Sequence, residues 1–75
     1  MVFEKIREII SDETKLSIGE ITLDTEIEKD LHLDSLEVFQ ITIRIEEEFD
    51  IEITSNDAKE IKTVGNLVDY VSKNL

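Results

Sequence analysis

The sequence predicts an all-α fold: a small four-helix bundle of three main helices, one short helix and a long first loop. Three observations carry this expectation. Apolar residues recur at helical spacing in three separate windows. Cap residues stand at the start of each window after the first. Finally, the short run Ile51-Glu52-Ile53 is too short for a sheet and has no partner strand. The 75 residues fit a single domain spanning 1–75. A chain this short buries only about 60% of the surface its unfolded form exposes, so its core is small.

The first window, Val2 to Glu13, places Val2, Phe3, Ile6, Ile9 and Ile10 on one face and charged residues on the other, which predicts an amphipathic helix. From Thr14 to Leu33 the apolar residues Leu16, Ile18, Ile21, Leu23, Ile27, Leu31 and Leu33 follow neither period for long. This stretch reads as an ordered loop pinned by isolated Ile and Leu side chains. Loops of this length in a compact domain are often functional.

From Asp34 to Phe49 two signals compete. Phe39 to Ile45 alternates as a strand would, and Ile and Thr favour strands. The longer window instead shows two interleaved helical stripes, Val38/Ile41/Ile45/Phe49 and Leu36/Phe39/Ile43. Asp34-x-x-Glu37 is a capping box, and Glu46-Glu47-Glu48 would sit poorly in a strand. A helix buried on two sides is the reading that satisfies all of these. Thr54, Ser55 and Asn56 can cap a brief helical turn to Ile61. Thr63 caps a last helix with Val64, Leu67, Val68, Val71 and Leu75 on one face and Tyr70 beside it.

Charge narrows the function. Eight Lys+Arg stand against nineteen Asp+Glu, a net charge of −11. Between Glu20 and Glu60 there are fourteen acids and three bases, and the rest of the chain is neutral. That sign is wrong for phosphate backbones, so neither nucleic acid nor an anionic membrane is an expected partner. The absence of cysteine excludes a disulfide framework, a thiolate zinc site and a protein thiol nucleophile. No apolar run approaches membrane-spanning length and no secretory leader is evident, so a cytoplasmic protein is expected.

Enzyme signatures are sparse. The single histidine, His32, reads as an exposed loop residue. A triad of His32, Asp34 and Ser35 would be too tight locally to work. Gly19 and Gly65 stand alone, so there is no glycine-rich phosphate loop. An EF-hand loop counted from Asp24 would need Gly where Lys29 stands and Glu where Ser35 stands. No catalytic residue and no dedicated metal ligand is therefore assigned.

The junction Asp30-Leu31-His32-Leu33-Asp34-Ser35-Leu36 is different. With Asp34 at the N-cap, Ser35 opens the central helix, its hydroxyl faces solvent, and the positive end of the helix dipole favours an anion there. Here the sequence resembles the acyl carrier protein family, whose signature is Asp-Ser-Leu at the start of the second helix. The likeness covers the whole chain. It includes Phe3/Ile6/Ile10, the approach from Ile27 to Leu31, Ile45-Glu46-Glu47-Glu48-Phe49-Asp50, and Ile61-x-Thr63-Val64. The run Glu37-Val38-Phe39-Gln40 resembles discrete bacterial carriers of fatty-acid synthesis more than aminoacyl carriers.

The resemblance implies that Ser35 carries 4′-phosphopantetheine through a phosphodiester, donated from coenzyme A by a holo-carrier synthase (a phosphopantetheinyl transferase). The arm's thiol would then hold growing fatty acyl chains as thioesters, with no catalysis by the carrier itself, which is expected to be monomeric. It further implies that Asp34, Leu36, Glu37, Glu46 and Glu47 meet basic patches on synthesis enzymes and acyltransferases. Short chains would fold back between the helices, with Phe39, Ile43, Ile53, Ile61 and Val64 the expected lining. Gln40 stands where many members have Glu, Arg44 adds an unusual positive charge, and His32-Leu33 replaces a common Gly-Ala or Gly-Leu pair. Carriers of polyketide, nonribosomal or D-alanyl pathways remain alternatives within the same chemistry. An acidic divalent-metal-binding regulatory protein is the alternative outside it.

Overall fold

A computed structural model describes residues 2–31 and 33–75, and the reading of His32 falls outside them. Four α-helices follow in order: α1 (Val2–Thr14), α2 (Ser35–Phe49), α3 (Ser55–Glu60) and α4 (Val64–Lys73). No strand forms among the described residues, and the only ladder pairing there is an isolated antiparallel bridge between Glu26 and Thr63. The all-α expectation and the three capped helix starts are met. No helix among the described residues is long and apolar enough to cross a membrane.

The core is aliphatic. Ile6, Ile9 and Ile10 of α1, Ile41 and Ile45 of α2, and Val64, Leu67 and Val71 of α4 are buried together with Ile21 and Leu31 from the first loop. Side chains that are stiff at χ1 suit a core this small, because they lose little rotamer freedom on burial. α3 contributes no buried residue.

Capping fixes where helices begin. Asp34 Oδ1 accepts from the Glu37 N–H at 2.8 Å, while Glu37 Oε1 accepts from the Asp34 N–H at 3.2 Å. Thr63 and Asn66 exchange the same pair of bonds at the start of α4. At its other end α2 stops on Asp50, which takes a left-handed backbone with φ 54°.

The first loop differs from its expectation in two ways. It contains a 3₁₀ turn at Ile18–Glu20, tied to α1 by an Arg7 guanidinium N–H donating to the Ile18 carbonyl at 2.8 Å. Further, Ile18 and Leu23 are exposed rather than pins. Much of the pinning is done by backbone. The carbonyls of Thr25 and Leu23 accept from Val64 and Gly65, and the Ile27 N–H donates to Lys62, each at 2.9 Å. The loop is thereby stitched to the start of α4. Gly65 permits this close approach, since a Cβ there would stand 3.0 Å from the Leu23 carbonyl. Leu75, expected on the buried stripe of α4, lies beyond the helix and is exposed.

Candidate functional site

Ser35 is the first residue of α2 and is exposed. Its hydroxyl makes no hydrogen bond to any described residue, so it is available to a reagent arriving from solvent. The capping box beside it ties Asp34 and Glu37 to each other's N–H and thereby holds the helix start in one conformation. The helix dipole places partial positive charge where a phosphodiester on Ser35 would lie.

A groove runs from Ser35 along Leu33, Asp34 and Val38 to Glu28. Val38 and Glu28 also border a second space, an apolar cavity of about 90 Å³ between α2, α3 and α4. Val38, Ile41 and Ile45 of α2 form one wall of this cavity, and Ile53, Ala58 and Ile61 form the opposite one. Ile27, Thr42 and Leu67 complete the lining. The Thr42 hydroxyl donates to the Val38 carbonyl at 2.8 Å, so its proton is already used within the helix. A mixed polar and apolar groove beside an exposed hydroxyl, sharing Val38 and Glu28 with an apolar cavity, fits a tethered amphipathic arm with apolar cargo. The residues present therefore fit phosphopantetheine.

The cavity takes in only part of the expected lining. Ile53 and Ile61 border it, but Phe39 and Ile43 do not; they lie on the outer surface of α2 at 60% and 36% exposure, beside Leu36 at 63%. Val64 is fully buried in the core rather than at the cavity wall. The reason is geometric. A single layer of neighbouring helices covers one stripe of α2, and Ile41 and Ile45 occupy it. The other stripe is left in water. Sequence reasoning assigned Val38, Ile41 and Ile45 to a helical stripe but not to a cavity, because periodicity says which residues share a face and not where packing leaves a void.

The acids of α2 divide as well. Glu47 is exposed, whereas Glu46 is half-buried and accepts from the Ile53 N–H at 2.8 Å through Oε2. Arg44 turns toward α1, 3.6 Å from Asp12 and 3.7 Å from Glu13, which accounts for its charge within an acidic helix. No described group of His, Asp or Glu is arranged to hold a metal ion. Tyr70 was seen in the sequence only as a neighbour of the α4 stripe. Its hydroxyl stands 2.9 Å from both the Glu52 carbonyl and Asp57 Oδ2. The Asp57 bond above all, then burial and the nearby negative charge, hold this phenol above its ordinary pKa.

Comparison with known proteins identifies relatives along nearly the whole chain. The profile of the family described as "Phosphopantetheine attachment site" matches residues 4–71. The acyl carrier protein of Clostridium acetobutylicum is 38% identical over 71 residues, covering 95% of this chain and 92% of that protein. That of Borrelia garinii is 39% identical over 72 residues, covering 96% and 90%. The solved structure of the acyl carrier protein from Enterococcus faecalis superposes with a TM-score of 0.85 at 36% identity, covering 99% of this chain and 94% of that one.

Proposed function

The chain belongs to the acyl carrier protein family, whose members carry phosphopantetheine and are not catalysts, and from that premise we propose that Ser35 is its attachment residue. The observation that carries this reading is the exposed, unbonded Ser35 hydroxyl at the amino end of α2, in a groove that shares Val38 and Glu28 with an apolar cavity. The group, when bound, supplies the thiol that a cysteine-free chain lacks, and with it the capacity to hold an acyl group as a thioester. Ser35 presents the oxygen, the capping box fixes its position, and the transferase must accept the hydroxyl proton, since no described base lies within hydrogen-bond reach of Ser35.

The cargo we infer is a growing fatty acyl chain in fatty-acid synthesis. The cavity wall is almost wholly aliphatic, and each methylene buried there gains roughly 0.8 kcal/mol. Residues 1–75 act as one monomeric cytoplasmic carrier unit in this reading. Its partners are the holo-carrier synthase and synthesis enzymes bearing a basic rim around an apolar pocket. The exposed stripe of Leu36, Phe39 and Ile43, flanked by Glu47, presents the complementary surface. Charge would steer the encounter and the apolar stripe would hold it.

Intact mass after co-expression with a holo-carrier synthase tests the site. The wild type gains the mass of phosphopantetheine, and Ser35→Ala keeps its helix content but gains nothing. Modification that persists in Ser35→Ala refutes the assignment. Transfer of malonyl and saturated acyl groups by fatty-acid synthesis enzymes tests the pathway, and exclusive acceptance of aminoacyl groups would overturn it.

A further inference from the structure

We propose that Tyr70 sets how far the α3 wall of the cavity can move, and thereby the length of chain the cavity admits; this rests on the carrier reading above. The two walls are unequal. The α2 wall is anchored, because Ile41 and Ile45 are also core residues. The opposing wall of Ile53, Ala58 and Ile61 belongs to a six-residue helix and its flanks, and that helix has no buried residue. So short a helix has little stability of its own. Entry of a chain must therefore displace this wall.

Side chains tether this segment from outside, and two of them act on its Ile53 and α3 portion. Glu46 on α2 accepts from the Ile53 N–H, and Tyr70 on α4 reaches both Glu52 and Asp57. Tyr70 stands on a helix anchored in the core by Val64, Leu67 and Val71, so its hydroxyl ties the α3 segment to a fixed element. The phenol has one proton for two acceptors, each 2.9 Å away, so the bond can pass from one to the other as α3 shifts by a small amount. A larger displacement breaks both. The tether permits a limited opening and resists a wider one. The raised pKa of Tyr70 keeps it a donor throughout the neutral range.

Tyr70→Phe removes the tether and keeps the ring. Melting temperatures of the free-thiol form and of butanoyl-, octanoyl- and dodecanoyl-loaded forms give the gain on loading as a function of chain length. In the wild type this gain should level off once the chain outgrows the restrained cavity. In Tyr70→Phe it should continue to rise to longer chains. A hydroxyl of merely structural value would lower every form alike and leave the levelling point where it was, and that result overturns the proposal.

A second measurement needs no loading and keeps a failed carrier assignment distinguishable. In the unmodified protein, Tyr70→Phe should speed amide hydrogen exchange several-fold at Ile53, Ala58 and Ile61 while leaving Ile10 and Ile45 near wild-type rates. Unchanged exchange in the α3 segment, or equal acceleration everywhere, refutes a local tether. Absence of a mass gain on Ser35 would refute the carrier reading and leave this exchange result to decide the tether.

Discussion

The two apolar stripes of α2 have nearly the same composition and opposite fates. Val38, Ile41 and Ile45 face the bundle and border the cavity, whereas Leu36, Phe39 and Ile43 lie on the exposed outer face that starts at Ser35. Burial of large apolar side chains stabilises a fold by about 1.5–3 kcal/mol each, so an exposed Phe and Leu contribute little to this one. On the proposed reading, the outer stripe serves a partner rather than the core. On that reading, one helix would support the cargo space with one face and offer a docking surface with the other, with Ser35 at its amino end.

The sharpest way to break this comparison is to truncate one residue from each stripe. Ile45 is 0% exposed, and Ile45→Ala should cost about 2–5 kcal/mol, enough to leave a small domain largely unfolded. Phe39→Ala should change stability by no more than about 0.5 kcal/mol, as for most surface substitutions. It should nonetheless weaken association with the holo-carrier synthase by roughly tenfold if Phe39 is an interface anchor. Urea denaturation reads the first effect and loading kinetics the second. A large loss of stability in Phe39→Ala would mean that the outer stripe is structural after all.

Asp34 lies where the two roles meet, since it caps the helix and neighbours Ser35. Asp34→Ala should destabilise by about 1 kcal/mol through loss of the bond to the Glu37 N–H. Asp34→Asn keeps an acceptor and should restore most of that. If loading stays slow in the stable Asn variant, its charge is recognised by the partner. If loading recovers with stability, Asp34 acts on Ser35 only by fixing the helix start.

Most of the fold was legible because local chemistry specifies it. Asp34-x-x-Glu37 and Thr63 mark helix starts through bonds that span three residues. The 3₁₀ turn at Ile18–Glu20 also has a local signature, Ser17-x-x-Glu20, with the Ser17 N–H donating to Glu20 Oε1 at 3.1 Å, and only its link to Arg7, eleven residues away, lies beyond local chemistry. The exposed positions of Ile18 and Leu23 were not legible, since backbone bonds to Val64 and Gly65 hold that loop in their place. Ser35 could be singled out from a helix start and a resemblance, but its groove could not. The outer stripe misled because helical spacing predicts a face and is silent on whether a neighbour covers it. Tyr70 carried no periodic signal for its bonds to a carbonyl and a carboxylate on other segments.

The acids near the carboxyl end of α2 offer the finest test, because Glu46 and Glu47 are adjacent and differ in use. Glu47 is exposed, and Glu47→Lys should leave stability within about 0.5 kcal/mol while slowing association with a basic partner and flattening its salt dependence. Glu46 also accepts from the Ile53 N–H, so Glu46→Lys should both slow association and loosen the segment before α3. Glu46→Gln separates the two effects: the amide oxygen can still accept from Ile53, while the charge is gone. Stability should stay near wild type in Glu46→Gln, and fall by about 1 kcal/mol in Glu46→Ala, where Ile53 loses its acceptor. Association rates measured against ionic strength then report on charge alone. Equal slowing by Glu46→Gln and Glu47→Gln would place both carboxylates on the docking surface. Slowing by Glu47→Gln only would show that the partner reads the outer edge of α2, and that the carboxylate of Glu46 serves the fold.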